Sequence, residues 1–464
     1  MRSALSLSVS VALLSAAHAA PTPELGKLSP SDPIVNGLFG DTCDLRGPLA
    51  IFGASGVPFT DSPGAAYLVD VSTQTQLAKF DLPSTIPNKQ EVVGVALGEG
   101  RAYVGTNTDT LPGYRPLVRL FDITDPMSPS LVTTIIPSDA EFSDDFGRAM
   151  VTDGDTTLIA APSADDNGAL SGAVYIFDTA TGAELGKFIA DDGEAVDQFG
   201  FSVDLDGDMA IVGARWESEL GHRAGAAYLF DITDPANPVQ TAKLLGSEVE
   251  ADDMFGFSVA IDGDLAIVGA IFDDDFVLDS GAAYVFDITD PFNPIETAKI
   301  TTSDANATDD IGWDVSLDGT TALITGRTDD DLFPGGGSAY LFDLTAPASP
   351  AELCKITPSD GGSSQVFGWS ADLDGGLALI GASMDDALAD NSGAAYLFDV
   401  APAPSGCNDA DLAEPLGTLD FTDVIAFLTA FGTMGEDADL AEPFGVLDFT
   451  DIIAFLTAFG AGCP

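Results

Sequence analysis

Short apolar runs alternate along the chain with acidic and glycine-rich breaks, and the alternation is itself periodic. Phe199, Phe201, Val203 and Leu205 are separated by Gly200, Ser202 and Asp204, the period-two pattern of a half-buried strand. Asp206-Gly207-Asp208 follows as a hairpin turn, because Gly and Asp tolerate the positive φ that tight turns require. Met209 to Val212 predict a second, wholly apolar strand, Ala226 to Phe230 a third and Val239 to Leu245 a fourth. The segment Asp231 to Pro238 between the last two contains prolines, which cannot donate ladder hydrogen bonds and so belong in a loop.

This unit recurs. The string Gly-Ala-Ala-Tyr-Leu-Phe-Asp, or a close relative, ends at Asp70, Asp178, Asp231, Asp287, Asp343 and Asp399, and a degenerate copy ends at Asp122, so seven copies follow at intervals of 52 to 56 residues. Four antiparallel strands repeated seven times predict an all-β, seven-bladed β-propeller rather than a two-sheet sandwich. The last unit ends at Asp399 without a fourth strand. Pro23 to Asp32 closely matches Ala351 to Asp360, the fourth strand of the sixth unit. The expectation is therefore a propeller closed by the N-terminal strand, without exposed edges.

Phe-Gly openings (Phe39-Gly40, Phe146-Gly147, Phe199-Gly200, Phe255-Gly256, Phe367-Gly368) and Val-Gly-Ala closings (Val212 to Ala214, Val268 to Ala270) make the chain resemble the bacterial FG-GAP repeat family, related to the integrin α-chain propeller. The integrin-type calcium loop is reduced here to a bare Asp-Gly-Asp turn, so that site is not carried over. The Asp-Ile-Thr-Asp-Pro segments at Asp122, Asp231 and Asp287 also resemble the LVIVD repeats of bacterial surface propellers, which implies a cell-surface setting.

Both ends depart from the repeat. Residues 1–19 carry one early positive charge, a short apolar run and a small-x-small site, the pattern of a signal peptide. The propeller is expected over 20–400, a Pro/Ala linker over 401–406 and a separate module over 407–464. In that module Asp411 to Gly432 recurs as Asp439 to Gly460, with Val424, Phe427, Leu428 and Phe431 on one face of a short helix. The duplication resembles the loop-helix repeats of dockerin-like modules, a small α-helical pair of EF-hand-like units, which implies calcium as cofactor. Asp411, Asp420 and Asp423, and Asp439, Asp448 and Asp451, match the first, ninth and twelfth loop positions. Ala-Glu-Pro-Phe replaces the usual Asn-Gly-Asp, so Glu414 and Glu442 would have to supply the lost ligands. The other reading is a metal-free helical hairpin whose Asp423 and Asp451 cap the helices. Cys407 and Cys463 bracket the module and are expected to form a disulfide, whereas Cys43 and Cys354 are expected to be two buried thiols.

Charge then narrows the function. With 74 acidic against 16 basic residues and a net charge of −58, the surface repels nucleic acid and anionic membranes. No later stretch is long and apolar enough for a transmembrane segment, and the setting expected is secreted, or the cell surface or periplasm of a bacterium. Past the signal peptide His222 is the one histidine, which excludes Ser-His-Asp and Cys-His catalysis and multi-histidine zinc sites. Loops between the second and third strands gather Asp165 and Asp166; Asp273, Asp274 and Asp275; Asp329, Asp330 and Asp331; and Asp385 and Asp386. They suit a cation or a polyhydroxylated ligand, or are simply solvated. Trp313 and Trp369 replace Phe201 and Phe257 and read as core packing rather than sugar stacking, while Trp216, beside His222, is the better surface candidate. The leading functional reading is an exported, non-catalytic binding, adhesion or scaffold protein. Its propeller would present a polysaccharide or protein ligand face, and its C-terminal module would attach to an extracellular or cell-surface partner. The alternative is an extracellular carbohydrate-active enzyme using carboxylates on the propeller face.

Overall fold

The computed structural model describes residues 23–56, 64–80, 82, 90–109, 114–139, 144–386 and 388–400. They form seven separate four-stranded antiparallel sheets. Blade 4 represents them. Phe199–Asp206, Met209–Ala214, Ala226–Asp231 and Val239–Leu244 pair in that order, within two residues of the expected bounds. The second and third strands are buried almost throughout, as apolar runs sandwiched between neighbouring blades must be, while the fourth is mostly half-buried.

The Phe-Gly and Gly-Ala-Ala motifs hold one blade to the next. Phe255 packs edge-on against Tyr284 of its own third strand, ring centroids 5.4 Å apart, and its N–H donates to Ala224 O of blade 4 at 2.8 Å. Gly225 and Phe255 form an isolated bridge, repeated by Gly172 with Phe199, Gly281 with Ile311, and Gly393 with Phe39. Gly256 sits at φ +84°, and a Cβ there would lie 2.2 Å from Ala226 O. Only glycine satisfies both the left-handed backbone and that approach.

The Asp-Gly-Asp turns bind blades at the other end of the first strands. Asp153, Asp206 and Asp262 each accept a hydrogen bond from the turn glycine of the next blade, Gly207 N at 2.8 Å, Gly263 N at 2.8 Å and Gly319 N at 2.6 Å. These carboxylates are structural acceptors.

Two parts of the expected fold are corrected. Strand Glu24–Leu28 occupies the fourth position of the seventh sheet, antiparallel to Ala394–Asp399, but it does not close the ring or remove edges. Among the described residues it has that one strand partner, and every sheet is open, its fourth strand having no strand partner on the outer side. What joins blade 7 to blade 1 is the packing of Phe367–Asp374 and Leu377–Ala382 on Phe39–Arg46, as at the other seams. Strand pairing stops at four strands in each sheet, so a propeller coheres by face packing. Second, no helix occurs among the described residues, hence none long and apolar enough to cross a membrane. The helical loop-helix module over 407–464 lies outside them. The disulfide is likewise withdrawn: no disulfide is found among the described residues, where Cys354 is a buried thiol and Cys43, expected to be buried, is a half-buried one, while Cys407 and Cys463 fall outside them.

Candidate functional site

In six of the seven blades the fourth strand carries a lysine opposite a tyrosine of the third. Six of the chain's seven lysines, Lys27, Lys79, Lys187, Lys243, Lys299 and Lys355, stand over Tyr396, Tyr67, Tyr175, Tyr228, Tyr284 and Tyr340 at 4.8 to 5.5 Å from the ring centroid. Blade 2 departs, with Arg119 opposite Thr134.

The acidic loops converge on these ammonium groups. Lys355 Nζ lies 2.7 Å from Asp304, 2.7 Å from Asp329 and 2.8 Å from Asp331. Burial opposes its charge, but the hydrogen bonds to the three carboxylates hold its pKa well above the ordinary lysine value. Lys299 is held the same way by Asp273 at 2.8 Å and Asp275 at 2.6 Å, Lys187 by Asp139 and Asp166, and Lys27 by Asp360 and Asp385. Asp273, Asp329 and Asp385 are buried, and each also accepts from the tyrosine hydroxyl. Asp304, Asp329 and Asp331 bring one carboxylate oxygen each within 4.8 Å of one another, a group that could hold a metal ion. The Lys355 ammonium supplies the positive charge there.

The remaining loop carboxylates play smaller parts. Asp165 accepts from Leu170 N and Asp386 from Asn391 N, and Asp274 and Asp330 are exposed. The candidate loop residues thus gather blade by blade around lysines rather than at one shared site. His222 Nδ1 meets Asp252 at 2.8 Å, both exposed. Trp216 lies between the guanidinium groups of Arg215 and Arg223, each 4.7 Å from its centroid.

A different site lies on the ring axis. A cavity of about 640 Å³ is lined by the first strands of all seven blades. The residue after each strand-opening Phe-Gly pair, or Ile311-Gly312 in blade 6, faces it: Asp41, Arg148, Phe201, Phe257, Trp313 and Trp369, with Val93 in blade 2. The aromatic four form a continuous arc, with centroid separations of 5.0, 4.6 and 5.1 Å. Trp313 Nε1 donates to Trp369 O at 2.9 Å. Both tryptophans are half-buried, so the core-packing expectation is corrected: they are wall residues of a cavity.

Arginines cover part of the arc. Arg327 lies 3.4 Å from the Trp313 centroid and is paired with Asp310 at 3.0 Å. Arg215 lies 3.5 Å from Phe201, but the position of Asp310 is taken in its blade by neutral Gln198, whose Oε1 accepts from Arg215 Nε at 2.9 Å. Burial, then the neighbouring Arg148 and Arg223, push the Arg215 pKa down to about 9. Two carboxylates share the cavity. Burial pushes Asp314 up to about 7 against a hydrogen bond from Ala371 N, and burial also raises Asp41 against Ser55 and Arg148.

Comparison with known proteins adds the family. The FG-GAP repeat matches residues 130–177, 183–230, 238–286, 295–342 and 351–398. Curated proteins give no match. Among solved structures, the β-propeller domain of the Trilobed protease from Pyrococcus furiosus, described as having an open velcro topology, superposes with a TM-score of 0.45 at 11% identity, covering 78% of this chain and 90% of that one. Five matched copies, each ending in a third strand of blades 3 to 7, cover more than half of the sequence, and the chain belongs to the FG-GAP repeat family.

Proposed function

We propose that the propeller is carbohydrate-directed and that its axial cavity is the saccharide site. The observation that carries this reading is the arc of Phe201, Phe257, Trp313 and Trp369 along a cavity of about 640 Å³. That volume falls in the range of about 300–1,000 Å³ typical of small-ligand pockets, and an aromatic wall beside hydroxyls and carboxylates matches the apolar and polar faces of a sugar ring. Asp41 and Asp314 in the same cavity favour the carbohydrate-active enzyme over a purely adhesive role. A carboxyl whose pKa is raised to about 7 is protonated at the pH where it would donate to a glycosidic oxygen. The test titrates an oligosaccharide panel into the protein by calorimetry and follows reducing-sugar release. Binding abolished by Trp369→Ala supports the site, and release abolished by Asp314→Asn supports catalysis. Binding without release leaves a lectin-like propeller, and no binding across the panel refutes the proposal.

A second part of the proposal concerns the chain outside the described residues. Residues 1–19 would direct export, and Asp411, Glu414, Asp420 and Asp423, with Asp439, Glu442, Asp448 and Asp451, would bind calcium in a module that attaches the propeller to a surface partner. The spacing of their carboxylates supports this reading. Calorimetric titration of calcium into the full chain and into a chain ending at residue 405 tests it. Equal heats from the two would refute it.

A further inference from the structure

Blades 4 and 6 place an arginine at the same position of the repeat but not in the same charge environment. Both put an arginine just after the second strand, stacked on the aromatic residue that follows the strand-opening pair: Arg215 on Phe201 and Arg327 on Trp313. Arg327 is neutralised by Asp310, whereas Arg215 meets Gln198. Among the described residues Arg215 makes no ion pair, and its Nε alone is hydrogen-bonded. In a chain with 74 acidic residues for 16 basic ones, Arg215 at the cavity wall thus faces an amide where its counterpart faces a carboxylate. Arg148 stands on the same Phe201 ring, 4.6 Å from its centroid. The pair sets two positive charges at one end of the aromatic arc, with Asp41 near Arg148 alone.

Resting on the saccharide reading of this cavity, we propose that its ligand is an acidic saccharide, a sugar bearing a carboxylate or sulfate that docks on Arg215 while its ring lies along Phe257, Trp313 and Trp369. Guanidinium recognises a planar or tetrahedral oxyanion through paired N–H donors, and the Gln198 substitution frees those donors. The net charge of −58 repels long polyanions from outside, so a short oligosaccharide with one or two charges fits better than a polymer. Salt that screens the distant repulsion over about 10 Å weakens the buried contact far less.

All three tryptophans of the chain lie at or beside this wall, Trp313 and Trp369 on it and Trp216 against Arg215, so intrinsic fluorescence reports occupancy. The experiment titrates the full chain with a digalacturonate, a sulfated disaccharide and neutral cellobiose, and repeats each titration with Arg215→Gln and with Trp369→Ala, melting curves serving as folding controls. At least one acidic sugar should bind about tenfold or more tighter than cellobiose. Arg215→Gln should erase that preference, and Trp369→Ala should weaken all binding. Carboxylate and sulfate arms tell the two anions apart. Cellobiose binding as tightly as the acidic sugars, or a preference that survives Arg215→Gln, overturns this inference and leaves the saccharide site standing. Absence of binding by all three overturns both. Should Arg215→Gln fail to fold, Gln198→Glu supplies the missing carboxylate instead and should remove the same preference.

Discussion

Replacing Lys355 by methionine tests the charge arrangement at its densest point. The side chain keeps an apolar stem out to the ε position but loses the ammonium that stands 2.7 to 2.8 Å from Asp304, Asp329 and Asp331. Three carboxylates then face one another, and Asp329, buried beside Tyr340, has no cation left. Breaking a buried pair by removing one partner costs about 3–5 kcal/mol. Asp304 and Asp331 reach solvent, so screening lowers the expected cost to about 2–3 kcal/mol. An unfolding entropy of about 2.1 cal/mol/K per residue over the propeller converts this to a Tm lower by roughly 3–4 °C. The assay is thermal unfolding by circular dichroism at pH 7.5 and pH 4. The deficit should shrink at the lower pH, where protonation relieves the carboxylates. Millimolar calcium should narrow it as well, and should leave the propeller transition of the unmodified protein in place. A Tm change within about a degree, or calcium stabilisation of the unmodified propeller that Asp331→Asn removes, would refute the assignment of the ammonium as the occupant.

Three further outcomes follow from the geometry. Lys27→Met should cost about as much as Lys355→Met, since Lys27 holds Asp360 and the buried Asp385; a negligible melting shift would mean that strand 24–28 is only loosely held. Gly256→Ala, at φ +84° and against Ala226 O, should cost about 3 kcal/mol or more, whereas Gly263→Ala, at φ +56° with open space around it, should cost about 1 kcal/mol; equal costs in denaturant titration would discount the close approach. Finally, burial raises Asp204, Asp253, Asp309 and Asp314 to about 7, so their contribution is present at low pH and lost as pH rises through 7. Asp139, Asp192, Asp304 and Asp360 are lowered by their lysines despite burial, so theirs is lost as pH falls through their folded values. Stability should peak between, near pH 4 to 5, and decline toward pH 8; a Tm that rises from pH 5 to 8 would contradict the raised set.

The repeat made the blades legible, because each strand's apolar run is bounded by a turn whose chemistry is local. Contacts between blades were not legible. The Asp206 carboxylate looks like part of an acidic turn until its bond to Gly263 N is seen. The lysine rim did leave a signal, since Tyr228 and Lys243, Tyr284 and Lys299, and Tyr340 and Lys355 keep one spacing, but it was overshadowed by the acidic clusters. The cavity wall was misread for a geometric reason. Strict alternation puts Phe199 and Phe201 on one face, but Gly200 at φ +88° and the register shift between Phe199 and Ser202 break the parity. Phe199 stays in the core, and residue 201 and its equivalents, Trp313 and Trp369 among them, turn to the axis.

The offset between repeat and blade has a bearing on how such a chain grows. A copy such as 238–286 contains the fourth strand of blade 4 and the first three of blade 5. The unit of duplication is therefore not the unit of folding. A duplicated copy inserted in tandem hands its leading strand backward and waits for the next copy to supply its own, so every junction is a native one. Gain or loss of a whole copy leaves no mismatched sheet inside the array and changes only the number of blades around the axis. The last copy leaves three strands without a fourth, and 24–28 serves them.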